Sequence, residues 1–139
     1  MKSRKIKIAL IVWIVVMISL IVSVEVRATE YSEEELLERV VEAEAGNQDL
    51  YGKRLVASVI LNRVDNEKFP NDIKDVLTAP HQFTTVSNGS INRVTISDET
   101  RVAVALEMEN RTDEEILYFN NGPVIGNYAY TYKAHQFGK

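Results

Sequence analysis

Residues 36–52 read LLERVVEAEAGNQDLYG, and the phase of this stretch decides the fold. Ser32 followed by Glu35, just ahead of the apolar run, forms a capping box and starts a helix near Glu33. At about 100° per residue, Leu37, Val40 and Val41 make one apolar stripe, and Glu44 falls in the middle of it. Glu42 falls on the opposite side and is expected in water. A carboxyl group on the apolar stripe is costly to ionise, so its pKa should rise. A carboxylic acid kept neutral near neutral pH is what a general acid requires. A lone Glu on such a face is more often a boundary residue whose head reaches solvent. The residues that follow favour a site. Ala45 and Gly46 are small, and Asn47, Gln48 and Asp49 end the helix with turn chemistry. A helix that ends right after an inward Glu leaves that Glu at a rim.

Working outward, Leu50 to Val64 forms a second helix, with Leu55, Val56, Val59, Ile60 and Val64 at helical spacing and Lys53, Arg54 and Arg63 expected on its surface. Asn71 is read as the cap of a short third helix carrying Ile73, Val76 and Leu77, stopped by Pro80. His81 to Val86 is rich in aromatic and β-branched residues. With Asn88-Gly89 it is read as a small hairpin or an extended loop turning there. Ser97 caps a fourth helix, its buried side supplied by Val102, Ala103 and Leu106 with Val104 at the margin. Ile116 to Phe119 is a short strand, and Tyr128, Tyr130 and Tyr132 alternate in the tail before His135 and Phe137. The fold class is therefore α+β, mainly α, with a small antiparallel sheet or hairpin.

Composition bounds the function. The chain has 139 residues, enough for one domain. Lys2, Arg4, Lys5 and Lys7 precede a charge-free run of 17 residues, Ile8 to Val24. Residues 1–28 are thus a signal peptide cut after Ala28 or an uncleaved signal anchor, and 29–139 the functional domain. Either way the domain is expected outside the cytoplasmic membrane, secreted or anchored through that segment. Without cysteine there is no disulfide frame, thiol nucleophile or Cys-based metal site. From residue 29 onward there are 19 acids and 11 bases, a charge of −8, which excludes an electrostatic nucleic-acid binder. The two histidines, His81 and His135, have no metal-ligand spacing, so no metal or other cofactor is expected.

The ordered motifs resemble a family. Glu44-Ala45, Gly52, Val56-Ala57 and Val59-Ile60-Leu61-Asn62-Arg63-Val64 are similar to the core signature of cell-wall hydrolases of the SleB/CwlJ type, the spore cortex-lytic enzymes among them. Phe69-Pro70, Gln82-Phe83-Thr84 through Asn88-Gly89, Leu117-Tyr118-Phe119-Asn120 and His135-x-Phe137 match in order. The resemblance implies a lysozyme-like domain that cleaves peptidoglycan glycan strands between N-acetylmuramic acid and N-acetylglucosamine. It implies Glu44 as the catalytic acid, lytic transglycosylation as the reaction, and no metal. It also makes Gln82, Phe83, Thr84, Tyr118, Asn120 and His135 candidate substrate-binding residues. Departures fall at Gly46, where cortex-lytic members carry Arg or a similar residue, at Asn47, where they carry Gly, and at Tyr128 and Tyr130, where a Trp pair stands. These bear on cortex specificity rather than on the chemistry.

Protonating the glycosidic oxygen needs one positioned acid, and hydrolysis usually adds a second carboxylate. Asp49 is the nearest candidate for that role, but a turn residue is the better reading of it. The lack of a partner favours transglycosylation over a hydrolytic muramidase. An inactive, membrane-tethered glycan-binding module is the alternative of a different class, and Glu44 speaks against it. Thr85 and Tyr128 are assigned to loop polarity and packing, and His135 to hydrogen bonding along the cleft. The protein is expected to act as a monomer.

Overall fold

The computed structural model describes residues 31–139; the segment 1–28, expected to be a signal peptide or anchor, lies outside the described residues. The first helix, α1, runs Glu33–Ala45, and Ser32 Oγ accepts the Glu35 N–H at 3.1 Å, as its capping sequence requires. The second, α2, runs Leu50–Asp65, with Asp49 as its cap accepting from Gly52 N at 3.0 Å. Then follow α3 (Ile73–Thr78), α4 (Thr84–Ser87), a 3₁₀ turn (Ser90–Arg93) and α5 (Asp98–Glu109). The cap of α3 is Asp72, which accepts from Asp75 N at 3.0 Å, one residue beyond the expected Asn71.

Helix α2 is the pillar of the domain. It is buried almost all round, its polar residues Lys53, Ser58, Asn62 and Arg63 included. Val56, Ala57, Ile60 and Leu61 join Leu37, Val40 and Val41 of α1 in the larger core cluster. Leu55 and Val59, one turn apart on another side, pack with Ile116 and Phe137 in a second cluster against the sheet. Each such fully buried side chain contributes about 1.5–3 kcal/mol.

The sheet has three antiparallel strands, β1 (Tyr118–Asn120), β2 (Tyr128–Tyr132) and β3 (His135–Gly138), with β3 in the middle. Phe119 pairs with Phe137, Tyr130 with Phe137 and Tyr132 with His135, and a bulge falls between Tyr128 and Tyr130. The expected sheet is there, but the expected hairpin at 81–89 is not. Thr84–Ser87 is a helical turn, and Gly89, at φ 71°, leads into the 3₁₀ turn. Phe83 and Ile91 are buried in the helical core, so packing overrides the β-branched composition.

Three surface readings are corrected. Lys53 and Arg63 are buried, 2% and 6% exposed, because their stems run along the core while their head groups find acceptors. Lys53 Nζ reaches Ser97 Oγ at 3.4 Å and Glu99 Oε2 at 3.5 Å. On α5 the inward positions are Thr100, Ala103, Val104 and Glu107, while Val102 and Leu106 are exposed. Ala103 and Val104 are buried as expected, but Thr100 and Glu107 complete the inward face, so apolar spacing misplaced Val102 and Leu106.

Glu42 is not in water either. Its Oε2 accepts from Ser97 N at 3.0 Å, from Ser97 Oγ at 2.7 Å and from the Thr100 hydroxyl, tying α1 to the N-terminus of α5. Burial pushes this carboxyl up, but the hydrogen bonds from Thr100 and Ser97 outweigh it and hold it below its ordinary value. A depressed carboxyl stabilises the fold above its unfolded pKa and loses that contribution as pH falls through its folded one. Glu42→Gln is therefore expected to cost about 1–3 kcal/mol at neutral pH, and less as pH drops below the ordinary carboxylate range. Urea titrations at two pH values check this; a variant as stable as the parent at pH 7 would refute it.

Candidate active site

Glu44 sits in the last turn of α1, where the helix ends against α4 and the sheet. Its side chain borders a hollow of about 290 Å³. The structure brings Gln82, Phe83, Thr84, Asn120 and His135 to the same hollow, four elements converging on one carboxyl. Tyr118 is the exception among the candidates. It lines an adjoining hollow of about 510 Å³ with Phe69, His81 and Ile125, its ring 6.2 Å from that of Phe69. Arg63, Gln82, Phe119 and Asn120 border both hollows, so the two form one continuous groove.

Glu44 is half-buried, and its Oε1 accepts from Thr85 Oγ1 at 3.1 Å. Burial pushes the carboxyl above its ordinary value, and the Thr85 hydrogen bond opposes that only in part. Thr85, assigned to loop polarity by sequence, is thus the residue that touches the acid. No other carboxylate lines this hollow among the described residues. Asp49 is engaged elsewhere, accepting from Gly52 N, from the Tyr132 hydroxyl at 2.9 Å and from Lys133 Nζ at 2.7 Å. Those donors, Lys133 first, hold its pKa at about 2.

Arg63 is the residue that sequence reading missed. Its Nε donates to Leu117 O at 2.7 Å and its Nη1 to Gln82 Oε1 at 3.1 Å. The guanidinium carbon lies 5.3 Å from the Phe69 ring centroid and 5.7 Å from those of Phe83 and Tyr118. Arg63 thereby holds the Gln82 carbonyl end, leaving the amide N–H₂ of Gln82 free to turn toward a ligand. The signal was the position of Arg63 at helical spacing from Val56 and Val59, opposite the polar side that carries Arg54, Ser58 and Asn62.

Two aromatic assignments change. Phe83 is 4% exposed and packs in the core 6.4 Å from Phe119, so its face is not open to a sugar. Tyr128 is exposed and lines neither hollow, its hydroxyl 3.0 Å from Thr131 Oγ1. His135 lines the hollow as expected but by ring packing: Phe119 meets it edge-on at 5.4 Å, and burial keeps its pKa below the ordinary value. The imidazole has no hydrogen-bond partner among the described residues. Gly46 has a local role beyond leaving the site open. A Cβ there would sit 2.5 Å from Glu42 O and 2.8 Å from Glu42 Oε1, so the glycine makes room for the carboxylate that anchors α5.

A mainly helical domain with a three-stranded antiparallel sheet, and a groove carrying one half-buried acid at a helix end, is of the lysozyme-like class. The chain belongs to the cell wall hydrolase family, whose model matches residues 47–139. That span opens just beyond Glu44, so the case for Glu44 rests on its own surroundings. The catalytic domain of the Bacillus cereus SleB protein superposes with a TM-score of 0.68 at 27% identity, covering 78% of this chain and 92% of that one. The catalytic domain of the germination-specific lytic transglycosylase SleB from Bacillus anthracis gives 0.69 at 27% identity, covering 79% and 98%. Among curated relatives, the spore cortex-lytic enzyme of Bacillus cereus is 31% identical over 99 residues, 70% of this chain and 38% of the relative. That of Bacillus subtilis strain 168 is 36% identical over 88 residues, 62% and 28%. The chain spans well under half the length of these two relatives.

Proposed function

We propose that this domain cuts peptidoglycan glycan strands between N-acetylmuramic acid and N-acetylglucosamine as a lytic transglycosylase, with Glu44 as its general acid and base. The observation that carries the reading is a half-buried carboxyl, raised in pKa, that is the only carboxyl among the described residues lining the central hollow. The neutral acid gives its proton to the glycosidic oxygen as the bond to the anomeric carbon breaks. The 6-hydroxyl of the same muramic ring then forms the new bond to that carbon, and the Glu44 carboxylate takes its proton. No water is consumed and the acid is restored, so no second carboxylate is needed, whereas a hydrolase normally uses one. The family assignment supports action on the cell wall, and one solved relative, the SleB catalytic domain of Bacillus anthracis, is described as a lytic transglycosylase. Gln82, Thr84 and Asn120 would hold hydroxyl and acetamido groups along the groove, and Tyr118 would face a sugar further from the acid.

Digesting purified peptidoglycan and weighing the released muropeptides tests the proposal. Transglycosylation leaves 1,6-anhydromuramic ends, while products one water heavier would identify a muramidase and no products a binding module. The proposal also puts the domain on the wall side of the cytoplasmic membrane. A reporter fused after Lys139 that works only when exported checks this, and an inactive reporter on full-length protein would count against it.

A pH profile follows from the raised Glu44 pKa. The acid must be protonated to act, so kcat/KM is expected to fall as pH rises through that value, with the midpoint displaced upward from 4.5. A limb at or below 4.5 would show that Glu44 is not the titrating acid.

A further inference from the structure

The second hollow of the groove, about 510 Å³, gathers positive charge in an acidic domain. From residue 29 onward there are 19 acids and 11 bases, yet no carboxylate lines this hollow, while Arg63 and Lys68 both do.

Arg63 is the unusual member. It is 6% exposed, and an Arg buried that far is ordinarily paired with an acid. Here the guanidinium is held by two neutral oxygens, Leu117 O and Gln82 Oε1, and by the rings of Phe69, Phe83 and Tyr118. Its Nη2 has no acceptor, and its charge no carboxylate partner, among the described residues. Glu44 borders the central hollow with Arg63 but does not supply that partner, since burial and Thr85 set its pKa. A buried cation without a counter-charge favours an anion brought by a ligand.

The groups at the rim suit the same ligand. Gln82 is exposed, and because its Oε1 accepts from Arg63, its N–H₂ is the end left to donate. Lys68 is exposed on the same hollow. Asn120 Nδ2 is taken by Pro123 O at 3.0 Å, which leaves the Asn120 Oδ1 for an amide N–H. Phe69 and the exposed Ile125 add apolar surface. Along a peptidoglycan strand the glucosamine rings carry no anion. Each muramic ring carries on its C3 oxygen an arm with a methyl group and a carboxylate, either its own lactyl group or that of an attached peptide, which also brings amide N–H groups.

We infer that the second hollow receives the carboxylate-bearing arm of a muramic ring, with the Gln82 amide as donor to the carboxylate and Arg63 and Lys68 as its counter-charge. This rests on the glycan-cleaving reading and adds to it a site that selects muramic acid over glucosamine.

The test uses the full chain, isotopically labelled, and three disaccharides. They are N-acetylglucosaminyl-N-acetylmuramic acid, the same sugar carrying L-alanyl-D-isoglutamine, and diacetylchitobiose, which has the acetamido groups but no arm. A muramic ligand is expected to bind about tenfold more tightly than diacetylchitobiose and to shift the Gln82 side-chain amide resonance. Which of the two gains more names the source, since the first offers the lactyl carboxylate and the second only that of the peptide. Gln82→Glu puts a carboxylate beside Arg63 and should bring the muramic ligands to within about twofold of diacetylchitobiose. If all three bind the parent equally while Thr85 resonances move, or if Gln82→Glu keeps the full preference, the arm site falls and the glycan reading stands. If no disaccharide shifts any groove resonance, the glycan reading falls and the arm site with it. Should Gln82→Glu fail to fold, the comparison of ligands on the parent protein decides.

Discussion

Glu44→Gln is expected to lower the rate of peptidoglycan cleavage by about 10²–10⁴ while the domain keeps its fold. Gln has the shape of Glu and can accept the Thr85 hydroxyl bond, but it cannot deliver a proton. Linkage gives the sign of the stability change. A carboxyl whose folded pKa is raised contributes fully below its unfolded pKa and loses that contribution as pH rises through the folded one. Above its folded pKa the parent therefore bears the cost of a half-buried charge, and the amide does not. The variant should be at least as stable as the parent and nearly inert, a combination that a merely structural Glu would not give. Glu42 cannot serve as the control, because it anchors α5. Glu34, exposed in the first turn of the same helix, can. Glu34→Gln should clear peptidoglycan like the parent in a zymogram. Comparable clearing by Glu44→Gln would remove the general-acid assignment.

What the sequence made legible was local. The Ser32 and Ser97 caps and the Asn47–Asp49 break are short-range chemistry, and each stands where it was read, although the Glu35 carboxylate pairs with Arg39 rather than closing the box. The convergence of Glu44, Gln82, Thr84, Asn120 and His135 on one hollow followed from the ordered motifs, not from spacing. What stayed hidden were polar groups buried by partners distant in sequence. Glu42 looked solvated because its partners, Ser97 and Thr100, lie 55 and 58 residues away. Arg63 looked like surface because a charge signals exposure unless something else supplies acceptors. Here Leu117 O and Gln82 do. Thr85 looked like loop because its role depends on an acid 41 residues earlier. The 81–89 segment was read as a hairpin or an extended loop because β-propensity reports a fit to a pleated surface, whereas here Phe83 and Ile91 anchor it in the helical core.

The same blindness covered Glu107, and removing it should produce the largest loss of stability in the domain. Glu107 lies on the inward face of α5 with no solvent exposure. Its carboxylate accepts from Arg54 Nε at 2.8 Å, from Thr112 N at 2.9 Å, and from the hydroxyls of Ser58 and Thr112. These bonds join α5 to α2 and to the break that leads into the sheet. Arg54, with its side chain only 24% exposed, is the ion-pair partner. In Glu107→Ala every one of those donors loses its acceptor, and a cavity opens where the carboxylate was. Breaking a buried pair from one side costs about 3–5 kcal/mol. A domain of this size has about 5–15 kcal/mol in all, so the thermal midpoint should drop on the order of 15 °C or more. Ser58→Ala, which removes one donor and leaves the rest paired, should cost about 1 kcal/mol. Glu107 lines neither hollow of the groove, so the fraction of Glu107→Ala that remains folded in the cold should cleave at the parental rate. Urea denaturation of both variants, with activity scaled to folded protein, measures each part. A Glu107→Ala midpoint close to that of Ser58→Ala would mean that the carboxylate does not hold α5 to α2.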